Sequence, residues 1–60
     1  MSDIRVLLVD DQRLVREGLR VLLDLTNDIH VIGEAENGAA AVQQAQTLTP
    51  DVIHMDIQKP

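Results

Sequence analysis

Three aspartates stand where short apolar runs of the sequence end. Asp10 and Asp11 follow the run at residues 4–9, and Asp56 closes the run at residues 52–55. Grouped carboxylates suit a hard cation such as Mg²⁺ or Mn²⁺. A carboxylate can also attack phosphorus and form an aspartyl phosphate, with the cation neutralising the clustered charge. The residue types therefore indicate metal-dependent phosphoryl chemistry, provided that the fold brings the three side chains together.

The elements that must position these aspartates follow a β-α-β-α-β order. Residues 4–9, 29–35 and 52–56 are short and rich in Val, Ile and Leu, which predicts buried strands. Residues 12–25 and 39–48 have apolar residues at helical spacing, which predicts two amphipathic helices. Each helix connects two strands, so the sequence predicts two helical crossovers in an α/β fold.

The strand order of the predicted sheet follows from two helical crossovers and from the need for strand three to reach strand one. Crossovers give parallel strands and are right-handed almost without exception. For strand three to reach strand one, the order must be 2-1-3, with one helix on each face. A topological switch point then lies between strands one and three, beyond their carboxyl ends, where ligands bind in open α/β sheets. Connectivity alone therefore predicts that Asp10, Asp11 and Asp56 meet there.

Both predicted helices have an apolar face and signals at their ends. Asp10 or Asp11 is expected to cap helix one, and Asn37 is expected to cap helix two. Gly18 within helix one is interpreted as a point of close approach to the sheet. The residues assigned to the buried faces are Leu14, Val15, Gly18, Leu19, Val21, Leu22 and Leu25 in helix one, and Ala41, Val42, Ala45 and Leu48 in helix two.

The composition of the 60 residues restricts the classes of partner. The net charge is −5 with only five Lys and Arg, which disfavours nucleic-acid binding by this chain because phosphate contacts need those residues. Three of the five, Arg13, Arg16 and Arg20, share helix one with Glu17 and Asp24, and are expected to form a solvated face with i,i+4 ion pairs. No apolar run approaches the about 18 residues of a membrane span. Cysteine is absent, which fits a reducing compartment, so we expect a cytoplasmic protein without membrane contact.

Three stretches carry a resemblance to a known family. They are Val-Leu-Leu-Val-Asp-Asp-Gln at residues 6–12, Glu-Ala-Glu-Asn-Gly at residues 34–38, and Pro-Asp-Val-Ile-His-Met-Asp-Ile-Gln-Lys-Pro at residues 50–60. In order and spacing they resemble a response-regulator receiver domain of two-component signalling. Arg-Glu-Gly-Leu-Arg at residues 16–20, with the Gly33 stretch, resembles most the branch joined to a LuxR-type helix-turn-helix output domain.

The resemblance implies a fold and a role for each acidic residue. The fold is a flavodoxin-like doubly wound parallel sheet, of which these residues are the N-terminal half, with three strands, two helices and no second domain. Asp56 is the expected phosphoacceptor, Asp11 binds Mg²⁺ or Mn²⁺ directly, Asp10 helps through water, and the backbone carbonyl of Gln58 supplies a further ligand. The implied phosphoryl donor is a sensor histidine kinase. The implied response is a population shift that controls a DNA-binding output absent from this chain.

The chain departs from the family pattern in ways that bear on switching. The family's Ser or Thr after a fourth strand and its Lys after a fifth do not occur before Pro60. Lys59 lies in a different loop, and His54 stands in strand three, where the family usually has an apolar residue. We therefore hypothesise that the chain keeps the metal ligands and the acceptor but does not switch. Strand three is expected to be an exposed apolar edge, which invites a homodimer by edge pairing or segment swap.

Two other classes of function remain open. An aspartate-based phosphohydrolase would carry a second Asp two residues after the nucleophile, where Gln58 stands instead. Nucleotide binding is not indicated, because Gly18, Gly33 and Gly38 form neither a phosphate loop nor a GxGxxG turn. Besides the phosphohydrolase, the other class that remains open is an assembly module without phosphotransfer. We predict a phosphoacceptor module that is not an enzyme, with a self-associating fragment as the alternative.

Overall fold

A computed structural model describes residues 3–56 of the chain. The elements follow the predicted order: β1 (Ile4–Asp10), α1 (Arg13–Asp24), β2 (Ile29–Ala35), α2 (Gly38–Leu48) and β3 (Val52–Asp56). β1 extends one residue beyond its predicted end, so Asp10 belongs to the strand. Within this part of the chain, neither helix has the length and apolar character needed to cross a membrane.

The three strands form one parallel sheet in the order β2-β1-β3, which confirms the predicted topology. β1 lies in the centre, where Leu8 pairs with Glu34 of β2 and with His54 of β3. Side chains alternate between the two faces along a strand, so these three aligned residues share one face of the sheet. Their neighbours along each strand face the other way.

β1 forms the buried centre of the fold. Leu7, Leu8 and Val9 have no exposed surface. Leu7 and Val9 form a core cluster with Ala35 of β2 and Ala41 of α2, so α2 covers their face of the sheet. A central strand covered on both faces reads as a continuous apolar run, as the sequence of β1 does.

α1 covers the opposite face, but less completely than predicted. Arg16 of α1 lies 3.0 Å from Glu34 between Nε and Oε1, on the face that Leu8 shares. The prediction of a broad buried stripe was wrong, because no residue of α1 is buried. A sheet of three strands is narrow and covers only part of the apolar face of a helix. The apolar side chains of α1 and its end that stay exposed are Leu14, Val15, Val21, Leu22 and Leu25.

The starts of the two helices are determined differently. The N-cap residue of α1 is Gln12, so the prediction that Asp10 or Asp11 caps this helix was wrong. The cap predicted for α2 is confirmed. The side-chain oxygen of Asn37 accepts a hydrogen bond from the backbone N–H of Ala40 at 2.8 Å.

The end of α2 is held by an arginine from β1. The Arg5 guanidinium donates to the backbone carbonyls of Leu48 and Thr49 at 2.5 and 2.7 Å. Carbonyls at the end of a helix lack a partner within the helix, and a cation there also interacts favourably with the helix dipole. Arg5 therefore joins the end of α2 to the central strand.

α2 and β3 leave an apolar groove of about 290 Å³ at one edge of the sheet. Ile53 and Met55 of β3 are 44% and 56% exposed there, which confirms the predicted exposed apolar edge for the described residues. The assignment of Val42 to the buried face of α2 was wrong, since this side chain lines the groove and is 58% exposed.

Gly18 and Gly33 have different surroundings. The interpretation of Gly18 as a point of close approach was wrong, because a Cβ at this position would meet nothing within 4 Å beyond the neighbouring helix backbone. At Gly33 a Cβ would lie 2.7 Å from both Gln44 Oε1 and Leu48 Cδ1. The close approach between helix and sheet therefore occurs between α2 and β2.

We expect alanine substitutions at these glycines to change stability in opposite directions. Gly18→Ala should raise the free energy of unfolding by about 1 kcal/mol, because glycine is the poorer helix former. Gly33→Ala should lower it by about 1 kcal/mol, because the ends of the Gln44 and Leu48 side chains must move. Urea denaturation of the natural protein measures both changes. A loss of stability in both variants would contradict this assignment.

Candidate functional site

β1 and β3 bring two of the predicted acidic residues together. Asp10 is the register partner of Asp56, and both lie at the carboxyl ends of their strands. Neighbouring strands lie about 4.8 Å apart, and aligned side chains leave the same face. The backbone pairing therefore positions the two carboxylates beside each other at the predicted end of the sheet.

Two hydrogen bonds hold Asp10 in place, and one of its carboxylate oxygens has no hydrogen-bond partner among the described residues. Its side chain is 2% exposed. Oδ1 accepts a hydrogen bond from the Gln12 backbone N–H at 2.8 Å, and the backbone carbonyl accepts one from Arg16 Nη1 at 2.6 Å. Oδ2 is buried without a hydrogen-bond partner among residues 3–56. A buried carboxylate oxygen without a partner is costly, and a bound cation would offset that cost.

Asp11 is exposed and borders a polar groove between α1 and β2. The groove has a volume of about 720 Å³. Three arginines and four acidic residues line its walls, so no single sign of charge dominates it. The residues that line the groove are Asp11, Arg13, Arg16, Glu17, Arg20, Val21, Glu34 and Glu36.

The complete metal-ligand set stays a prediction. Gln58, whose backbone carbonyl is the fourth predicted ligand, lies outside the described residues, as does Lys59. Within residues 3–56, no three His, Cys, Asp or Glu side chains are grouped closely enough to hold a metal ion. The register pairs Asp10 with Asp56, whereas Asp11 lies directly after β1 and does not form a group of three with them.

An ion-pair network beside Asp10 was not foreseen from the sequence. Glu34 Oε1 pairs with Arg16 at 3.0 Å, and Oε2 pairs with Arg20 at 2.6 Å. Arg16 is only 16% exposed, so the prediction that it belongs to a solvated face was wrong. The available signal was a glutamate inside an apolar strand, which needs a positive partner from the helix that covers it. The predicted i,i+4 pairs Arg13–Glu17 and Arg20–Asp24 are confirmed, at 3.4 and 3.8 Å.

The two histidines are separate from each other. His30 Nε2 lies 3.1 Å from Asp3 Oδ2, at the amino end of the sheet. His54 is exposed on β3 and pairs in register with Leu8. Neither histidine belongs to a metal-binding group within the described residues.

The parallel sheet in the order 2-1-3 with two helices is the arrangement of a signal receiver domain. A family model described as the response regulator receiver domain matches residues 6–60, and the chain belongs to this family. The resemblance noted in the sequence is thereby confirmed.

Individual relatives include both transcriptional regulators and an enzyme. The transcriptional regulatory protein YdfI of Bacillus subtilis (strain 168) is 50% identical over 56 residues, or 93% of this chain and 26% of YdfI. Protein-glutamate methylesterase/protein-glutamine glutaminase 2 of Carboxydothermus hydrogenoformans is 53% identical over 60 residues, or 100% of this chain and 17% of that protein. The chain therefore spans about a quarter or less of the length of these relatives.

The solved structures agree with this assignment. The signal receiver domain of the response regulator NarL from Mycobacterium tuberculosis is similar with a TM-score of 0.89 and 38% identity. The similarity covers 100% of this chain and 48% of the NarL domain chain. The 2-1-3 order predicted from connectivity, and the flavodoxin-like fold implied by the resemblance, are thus those of the receiver family.

Proposed function

We propose that the chain is a phosphoacceptor module, which receives a phosphoryl group on Asp56 from a sensor histidine kinase in an Mg²⁺-dependent reaction. The pairing of Asp56 with Asp10 at the carboxyl end of the sheet supports this most directly. Asp56 is exposed, so a donor can reach it. Asp10 is buried and fixed by hydrogen bonds, which suits a residue that helps to hold a cation.

In the proposed reaction the Asp56 carboxylate is the nucleophile. One of its oxygens attacks the phosphorus of a phosphohistidine, an O–P bond forms, and the P–N bond breaks with its electron pair left on the imidazole nitrogen. The product is an acyl phosphate on Asp56. Asp10 lies beside the reacting carboxylate and holds its position because its own carbonyl and carboxylate are both hydrogen-bonded.

The residues at this end of the sheet fit a hard divalent cation. Asp10, Asp11, Asp56 and the backbone carbonyl of Gln58 would hold it, all through oxygen, as Mg²⁺ prefers. The buried Asp10 Oδ2 without a partner is the observation that supports the fit. When bound, Mg²⁺ neutralises the carboxylate charge and orients the phosphoryl oxygens.

Phosphorylation by acetyl phosphate tests the proposal without a kinase. We expect the natural protein to gain the mass of one phosphoryl group in the presence of Mg²⁺, and to gain none when EDTA removes the metal ion. Mass spectrometry of the intact protein measures the gain, and peptide mapping should locate it on Asp56. A gain that is independent of Mg²⁺, or one on another residue, would contradict the proposal.

The output that the module controls is DNA binding in this proposal. YdfI is a transcriptional regulatory protein, whereas the relative from Carboxydothermus hydrogenoformans is a methylesterase. The stretch at residues 16–20 resembles the branch with a helix-turn-helix output, which favours transcriptional control.

Self-association is a second candidate function, favoured by the exposed β3 edge. Val52, Ile53 and Met55 are 48%, 44% and 56% exposed on a strand that pairs on one side only among the described residues. An exposed apolar edge strand pairs readily with another chain. Light scattering after gel filtration of the same samples decides this point, since a dimer has twice the mass of the monomer. A protein that dimerises but takes no phosphoryl group would favour the assembly role.

A further inference from the structure

We propose that Arg16 is a positioning residue, which fixes the Asp10–Asp11 segment in the geometry that binds the divalent cation. This inference rests on the proposed function. The Arg16 guanidinium has two partners on different strands: Nη1 donates to the Asp10 carbonyl at 2.6 Å, and Nε donates to Glu34 Oε1 at 3.0 Å. It therefore joins α1 to the ends of both β1 and β2.

Glu34 holds Arg16 in this position. Its side chain is 23% exposed, and its second carboxylate oxygen accepts a hydrogen bond from Arg20 at 2.6 Å, so both oxygens have arginine partners. Its backbone carbonyl accepts from Gln44 Nε2 of α2. Glu34 is thus connected to the helices on both faces of the sheet, and the arginine that it binds has little freedom to move.

The burial of this ion pair favours a positioning role. Removing two charges from water costs free energy that their attraction often fails to recover, so a largely buried pair is weak evidence for stability. Arg16 also places a positive charge next to a proposed cation site, where Coulomb repulsion opposes metal binding. Arg16 can therefore favour cation binding only through geometry. The Asp10 carbonyl that it binds lies at the end of β1, where the chain turns toward Asp11.

The sign of the change in metal affinity tests this inference. Arg16→Gln removes a positive charge, which by electrostatics alone tightens Mg²⁺ binding. If Arg16 positions the turn, the same variant weakens binding by about tenfold, as the loss of residues that orient metal ligands commonly does. Arg16→Lys keeps the charge but not the planar fork that reaches both partners, and it should weaken binding similarly.

Arg20→Gln is the matched control. It also removes a positive charge that pairs with Glu34, but the contacts of Arg20 are with Glu34 and Asp24. We expect its Mg²⁺ affinity to be unchanged or tighter. Titration of the natural protein with Mg²⁺, followed by amide chemical shifts in NMR, measures each affinity. An Arg16→Gln variant that binds Mg²⁺ as tightly as the natural protein, or more tightly, overturns the inference.

A second measurement separates failure of this inference from failure of the proposed function. The Gln12 amide donates to Asp10 Oδ1, so its hydrogen exchange without metal reports the order of the turn. We expect faster exchange in Arg16→Gln but not in Arg20→Gln, with the Ala40 amide as an unchanged reference. If the natural protein binds no Mg²⁺ at all, the proposed function fails. Slow exchange of the Gln12 amide that depends on Arg16 would still support the positioning of the turn. Unchanged Gln12 exchange in Arg16→Gln overturns the inference in either case.

Discussion

Asp56→Asn should abolish phosphorylation of the natural protein by acetyl phosphate in the presence of Mg²⁺. An amide lacks the charged oxygen that attacks phosphorus, so the expected loss is complete and not partial. The substitution keeps the size of the side chain, and Asp56 is exposed at the end of an edge strand, so the fold should not change. Mass spectrometry of the intact protein measures the phosphoryl group directly.

Asp28→Asn is the control for this variant. It makes the same chemical change in an exposed aspartate between α1 and β2. The backbone carbonyl of Asp28 accepts a hydrogen bond from the Ile4 N–H at 2.7 Å. Asp28 therefore lies near the amino end of β1, at the opposite end of the sheet from Asp56. We expect normal phosphorylation of Asp28→Asn. Retention of the phosphoryl group by Asp56→Asn would show that another residue is the acceptor.

Leu8→Ala should strongly destabilise the natural protein. Leu8 has no exposed surface and lies on the central strand, paired with both neighbouring strands. Truncating a buried leucine costs about 2–5 kcal/mol, from lost burial and from the cavity left behind. The free energy of unfolding of a small domain is about 5–15 kcal/mol, so this loss is a large fraction of it. Urea denaturation followed by circular dichroism measures the loss.

Leu14→Ala is the matched control for Leu8→Ala. It removes the same atoms from a leucine that is 83% exposed on α1. Exposed substitutions usually change stability by less than about 0.5 kcal/mol. If Leu14→Ala destabilises the natural protein as strongly as Leu8→Ala, then the exposed face of α1 is covered in solution by another surface.

The topology and the pairing of Asp10 with Asp56 could be predicted because they follow from chain connectivity. Right-handed crossovers, together with the requirement that strand three reaches strand one, lead to the order 2-1-3, and this order makes the ends of strands one and three neighbours. The apolar run of β1 also predicted its burial, since Leu7, Leu8 and Val9 are covered on both faces. These features need only local patterns and a rule of chirality.

The features that were missed depend on distances between elements. Periodicity identified the apolar face of α1, but not the width of the sheet available to cover it, so Leu14 and Val21 were wrongly expected to be buried. The partners of Arg16 were missed because an ion pair between a helix and a strand depends on how the two are positioned. Gly33 has a crowded Cβ position and Gly18 an open one, which spacing along the chain cannot distinguish.

Because the register pairs Asp10 with Asp56, formation of the acidic site depends on the folding of the three-stranded sheet. The two residues come from opposite ends of the chain, so the pair forms only when the third strand has docked on the first, a contact of long sequence separation. A cation that binds the docked arrangement alone stabilises it by mass action. Opening of β3 would release the cation and separate the two carboxylates. If the proposed cation site is correct, slow amide exchange along β3 should depend on Mg²⁺ concentration, and β3 would report ion occupancy.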